Sequence, residues 1–198
     1  MLRWIGSDRG RVVSTHSLAR AFAAVIVAVL AALTPASAQV FCEPLPGTAI
    51  FCPCFNFPSG PGRGCDNSAA TGGALLAAAG TTSPDTVVLT ASDELPTSLS
   101  IFLQGDASNA NGVVFGDGVR CAAGVLRRIG VKNASGGTVS YPQAGDPSIS
   151  ARSAALGDPL FPGATRHYQV YYRDPSLGFC AAPTGNSFNI GNALAITW

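Results

Sequence analysis

Glycine and proline punctuate this chain so often that a long helix has nowhere to form. The 23 glycines and 14 prolines fall at short intervals. Between them lie runs of Val, Ile, Leu, Thr, Phe and Tyr that alternate with polar residues, the period-2 pattern of strands with one buried face. "DTVVLTAS" (85–92) and "SLSIFLQG" (98–105) read as a hairpin joined through "DELPT", and 118–137 reads as one or two strands closed by an Asn-Ala-Ser-Gly-Gly turn. "AGDPS" and "LGDPL" repeat one turn chemistry, with "SISARSAA" as a strand between them. In "RHYQVYYRDP", Tyr168, Val170 and Tyr172 share one face and are assigned to the core, while His167, Gln169, Tyr171 and Arg173 share the other. In the last segment Leu194, Ile196 and Trp198 share a face, and so apolar a terminal strand is expected to be paired into a sheet. The Ala-rich stretch 68–82 reads as a first strand, because Gly72, Gly73 and Gly80 bracket it too closely for a stable helix. With about seven to nine short strands at this spacing, the expected fold is all-β: a single-domain antiparallel β-sandwich, jelly-roll or Ig-like, stapled by disulfides.

The N-terminus sets the compartment. Arg3, Arg9, Arg11 and Arg20 precede a 13-residue apolar run, 21–33, and then Ala36-Ser37-Ala38. That is the layout of an export signal cut between Ala38 and Gln39, and the run falls short of the roughly 20 residues a membrane span needs. Residues 1–38 are therefore read as signal peptide, 39–67 as a Cys/Pro/Gly-rich clasp and 68–198 as the sandwich. No stable membrane insertion is expected after cleavage. Four of the 12 Lys+Arg and one of the 11 Asp+Glu belong to the leader, leaving 8 basic and 10 acidic residues. That balance offers no footprint for nucleic acid. The short cluster Arg127, Arg128 and Lys132 reads as a solvated face.

All six cysteines, Cys42, Cys52, Cys54, Cys65, Cys121 and Cys180, follow the leader. In an exported chain an even set reads first as disulfides. The lone C-x-C at Cys52 and Cys54 lacks the paired C-x2-4-C spacing of zinc sites and the C-x-x-C of thioredoxin-like motifs. Neighbours so close in sequence rarely meet disulfide geometry with each other. Cys52 and Cys54 are therefore expected to bond to different partners, Cys42 and Cys65 in some order, leaving Cys121 for Cys180.

Chemistry beyond the cysteines is sparse. After the leader the one histidine is His167, with neither a G-x-S-x-G elbow nor an H-E-x-x-H motif to support it. Asp93 and Glu94 are adjacent, which in a strand points them apart and leaves no facing acid pair. No cofactor is expected. Calcium is the small ligand best suited to the Asx-rich stretch with Asp106, Asn109, Asn111 and Asp117, though it misses the EF-hand pattern and also reads as turn chemistry. The mixed aromatic and polar face of His167, Gln169, Tyr171 and Arg173 is the candidate ligand-binding surface.

"NGVVFGDGVRCAAG", "HYQVYYRDP" and "FNIGNALAITW" resemble an uncharacterised group of secreted bacterial β-rich proteins. In that group a Cys-rich start and a "GC-N-S" element, here Gly64-Cys65-Asp66-Asn67-Ser68, precede a domain closing on an Asn-Ala-Leu-x-x-Thr-Trp strand. The resemblance implies an exported sandwich-like module and brings no catalytic residue with it. The expected function is a secreted, non-enzymatic binding or structural module of the bacterial cell surface, with an unknown extracellular ligand or surface component as partner. The alternative is a hydrolase accessory or catalytic domain acting on extracellular polysaccharide. That alternative requires two of Asp106, Asp117, Asp146 and Asp158 to face each other across one cleft.

Overall fold

The computed structural model describes residues 34–46, 50–176, 178–180 and 187–198; residues 1–33 of the expected leader lie outside them. Eleven strands and one short helix are seen among the described residues. In chain order they are β1 Thr34–Pro35, β2 Ala38–Cys42, β3 Leu75–Ala79, β4 Thr81–Ser83, β5 Val88–Ser92, β6 Leu99–Phe115, β7 Gly118–Asn133, β8 Val139–Tyr141, α1 Ile149–Ala155, β9 Thr165–Arg173, β10 Phe188–Ile190 and β11 Ala193–Thr197. The large sheet runs β2-β11-β9-β6-β7, with β10 pairing the far end of β9; a second sheet runs β3-β5-β8, and β1 pairs β4. Every named pairing is antiparallel.

The two sheets enclose the main core, as alternation requires. Phe102, Ile129, Tyr168, Val170, Leu194 and Ile196 come from the large sheet and meet Leu76, Leu89, Ala91, Val139 and Tyr141 of the small one. Tyr168, Val170 and Tyr172 are fully buried, and β11 lies between β2 and β9. The fold is thus an all-β, disulfide-stapled antiparallel sandwich.

Two local expectations are corrected. The 85–92 and 98–105 strands are not a hairpin: β5 pairs with β3 and β8 in the small sheet, while β6 pairs with β7 and β9 in the large one. "DELPT" therefore crosses between layers. "SISARSAA" is mostly helix α1, capped by Ser148, whose side chain accepts from the Ala151 amide. Its Ala-rich composition favours the helix, and burial of Ile149 and Ser153 fixes one face to the core.

The β6–β7 hairpin is the departure that positions the site. Its register breaks between Phe102 and Leu103, between Gly105 and Ala107, and between Ser108 and Val113. Such irregularities bend a ribbon. The distal half folds back over the outer face of the large sheet. Gly105 sits at the bend, where a Cβ would come within 2.5 Å of the Ala123 carbonyl oxygen. Gln169 of β9 clips this arm down: its Oε1 accepts from the Cys121 and Ala122 amides at 2.7 and 2.8 Å. Its Nε2 donates to the Val119 and Gly191 carbonyls at 3.2 and 3.0 Å. Beneath the arm a second, smaller core gathers Cys42, Ile50, Cys52, Cys65, Val119, Cys121 and Ala193.

The disulfides follow from the arm. Cys42 pairs with Cys121, Cys52 with Cys65 and Cys54 with Cys180, with Cα separations of 5.9, 5.7 and 5.5 Å. Cys52 and Cys54 do bond to different partners, but the expected Cys121–Cys180 bridge is replaced. The reason is that Cys42 belongs to β2, a strand of the large sheet, and the folded arm lays Cys121 beside it. Cys54 is then left for Cys180, 126 residues away. Three such bonds belong to an oxidising, extracellular-type environment. No helix among the described residues is long and apolar enough to cross a membrane.

Candidate functional site

The four residues expected to share an outer strand face do share it, but the arm divides them. Gln169 is fully buried as the clip just described, so it is not a ligand-binding residue on an open surface. His167 is half-buried, edge-on to Phe41 at 5.1 Å, with its Nδ1 buried and unpartnered. Burial holds its imidazole below the usual value, only partly countered by its hydrogen bond with the Gly105 backbone. Arg173 is exposed, in register with Phe188.

Tyr171 sits between the proximal and folded-back halves of the arm. Its ring meets Phe115 edge-on at 5.4 Å and Phe188 at 6.0 Å, and those two rings lie 5.0 Å apart. Phe115 stands near the arm's tip and Phe188 in β10, so three elements build one aromatic corner. A pocket of about 250 Å³ opens there, lined by Leu103, Phe115, Leu126, Arg128 and Tyr171. The Arg120 guanidinium lies 5.4 Å from the Phe115 ring centre, and its Nε is buried without an acceptor. Arg128 is exposed and pairs with no acid among the described residues. An apolar, aromatic-walled recess with unpaired guanidinium at its rim suits a small ring or apolar group carrying negative charge. Phe115 escaped the sequence reading because only the bent arm brings it to Tyr171, whereas Arg128, read there as part of a solvated face, reaches the pocket through the regular ladder, opposite Leu103.

The residues offered for calcium do not converge. Asp106 lies at the root of the arm, its Oδ1 accepting from the Val125 amide at 2.9 Å. Asn109 is engaged with the Asn111 amide at 3.0 Å, and Asp117 is fully buried in the tip turn. No group of three metal-ligating side chains is found among the described residues.

Of the four aspartates, Asp106 and Asp158 do come together, but on either side of the Arg127 guanidinium, at 3.8 and 3.4 Å, so a cation and not an open cleft lies between them. Asp158 is gripped by Arg166 at 2.6 and 2.8 Å and by Gln104 at 2.8 Å, and the Arg166 hydrogen bonds hold its carboxyl below the usual range. Asp146 is likewise lowered, by its 2.8 Å hydrogen bond from Lys132. The carboxyl with the look of a proton donor is Glu94, pushed up to about 7 by burial that outweighs hydrogen bonds from Ser100 and Ser98. It is 1% exposed and its Oε1 has no partner, so it sits in the interior rather than on a pocket wall. The "GC-N-S" residues serve the same interior: Asn67 Nδ2 donates to the Tyr172 hydroxyl and the Asp93 carbonyl, and Ser68 holds Asp174 through both its amide and its hydroxyl.

No family model, no curated protein and no solved structure matches this chain.

Proposed function

We propose that this chain is an exported, non-enzymatic binding module of the bacterial cell surface, and that it takes its ligand at the Tyr171 pocket. The observation that carries the reading is the arm folded over the large sheet, which sets Phe115 and Tyr171, with Phe188 packed on both rings, at a recess rimmed by Arg128. The same architecture speaks for binding rather than hydrolysis. The acids of the described surface are tied to cations or backbone amides, and the one raised carboxyl, Glu94, is closed off from solvent. The ligand class is an anionic small ring, such as the uronate unit of an extracellular polysaccharide.

The test is a titration of the exported protein with glucuronate and a panel of neutral and acidic oligosaccharides, followed by NMR. Acidic members should perturb the Phe115 and Tyr171 resonances, and Tyr171→Ala should weaken binding by roughly tenfold or more. Equal binding to Tyr171→Ala, or perturbation confined to other surfaces, would sink the proposal.

A further inference from the structure

A groove lies on the described surface beside the ends of β4 and β11. It has a volume of about 650 Å³ and is lined by Ser37, Pro84, Asp85, Leu160, Phe161 and Trp198, among others. Ser37 in its lining belongs to the segment Thr34–Ala38, which the sequence assigns to the end of the leader. This segment is held in the fold by strand pairing at its two ends. Thr34 and Pro35 pair with Ser83 and Thr81, the Ala36 amide donates to the Gly80 carbonyl at 3.0 Å, and Ala38 pairs with Ile196. Ala36 and Ala38 both pack against the main core. The two small residues that define the cleavage site therefore also cover part of the main core.

We infer that leader removal opens a strand-acceptor groove between β4 and β11, and that its ligand is an extended peptide with small side chains at alternate positions, supplied by another polypeptide. Hydrolysis of the Ala38–Gln39 bond by a leader peptidase consumes one water and leaves a carboxylate on Ala38 and an amine on Gln39. The departing segment frees the Gly80 carbonyl and the strand edges of Thr81–Ser83 and Ile196, and it uncovers core surface beside Trp198. A slot with an apolar floor and unpaired strand edges on both sides invites pairing with another chain. Addition of an extended peptide to a sheet edge, with alternate side chains in pockets, is an established recognition mode. The occupant's chemistry is read from the segment seated there: a backbone donor toward Gly80, alanine-sized groups inward at Ala36 and Ala38, and a polar residue, Ser37, outward between them. The inference rests on the cut after Ala38 and is independent of the Tyr171 pocket.

The processed chain carries its own reporter. Of the two tryptophans, Trp4 leaves with the leader and Trp198 lines the groove. The experiment takes the exported protein, establishes its N-terminus by mass spectrometry, and titrates it with the synthetic peptide Leu-Thr-Pro-Ala-Ser-Ala while following Trp198 fluorescence and melting temperature. We expect an N-terminus at Gln39, a saturable fluorescence change and a rise in melting temperature. A peptide N-methylated at the residue equivalent to Ala36, which cannot donate to Gly80, should bind roughly five- to tenfold more weakly. An N-terminus other than Gln39 overturns the inference, because the acceptor groove is then not formed as described. So does a processed chain in which neither fluorescence nor melting temperature responds at millimolar peptide, or one that binds the methylated peptide equally well.

Discussion

Gln169 illustrates how a residue on the expected face takes a different role. All four of its hydrogen bonds go to backbone groups of the arm or of the turn before β11. Gln169→Leu keeps the volume but strands two amides and two carbonyls, so we expect a loss of roughly 2 to 4 kcal/mol in urea unfolding, with faster hydrogen exchange at Cys121 and Ala122. Glu94 makes a second prediction at this scale. Its carboxyl is raised from 4.5 to about 7, so the folded chain holds the proton more tightly than the unfolded one. That contribution is complete below pH 4.5 and is lost as pH rises toward 7, amounting to roughly 3 kcal/mol over the window. His167 is shifted downward, and its contribution runs the other way, fading as pH falls below 6.5. Comparison with Glu94→Gln isolates the first effect: the difference in stability between parent and variant should change across pH 4.5 to 7 in calorimetry. A constant difference would show that Glu94 titrates normally. Neither residue could be assigned from sequence, since alternation tells which face Gln169 occupies and not what later covers that face. Adjacent acids likewise reveal nothing of the serines that close over one of them.

At the scale of elements, what was legible followed from local pattern. The core set Tyr168, Val170 and Tyr172, the terminal strand beside β9 and the sandwich class all rest on period-2 alternation, which survives any tertiary arrangement that keeps one face buried. What was missed depended on long-range geometry. The β5–β6 segment looked like a hairpin because its turn chemistry was right, yet the sheets it feeds are different layers. The arm's fold-back left only glycines and an Asx-rich stretch as its trace, and the same residues suggested calcium. Its anchoring is testable as an element. Replacing both Cys42 and Cys121 by serine removes a link spanning 79 residues, and we expect a loss of about 4 kcal/mol in urea unfolding. The same variant should expose the arm to proteolysis near Ser108–Gly112, where the register is broken. Unchanged stability and protease resistance would mean that Gln169 and the tip contacts alone hold the arm.

For the whole molecule, the three disulfides tie together pieces far apart in sequence. Cys42–Cys121 joins β2 to the arm, Cys54–Cys180 joins the proline-rich loop to the segment after β9, and Cys52–Cys65 closes that loop on itself. The N-terminal cysteine-rich stretch is tied to the rest of the chain through Cys42–Cys121 and Cys54–Cys180. It floors a second core, and the outer aromatic corner exists because that core holds the arm down. The Tyr171 pocket, the clip at Gln169 and the seating of β2 all depend on one wiring. Peptide mapping of the exported protein under non-reducing conditions tests it directly. The structure requires Cys42–Cys121, Cys52–Cys65 and Cys54–Cys180; recovery of a Cys121–Cys180 peptide, or of free thiol at Cys121, would contradict the folded-back arm and the binding site built on it.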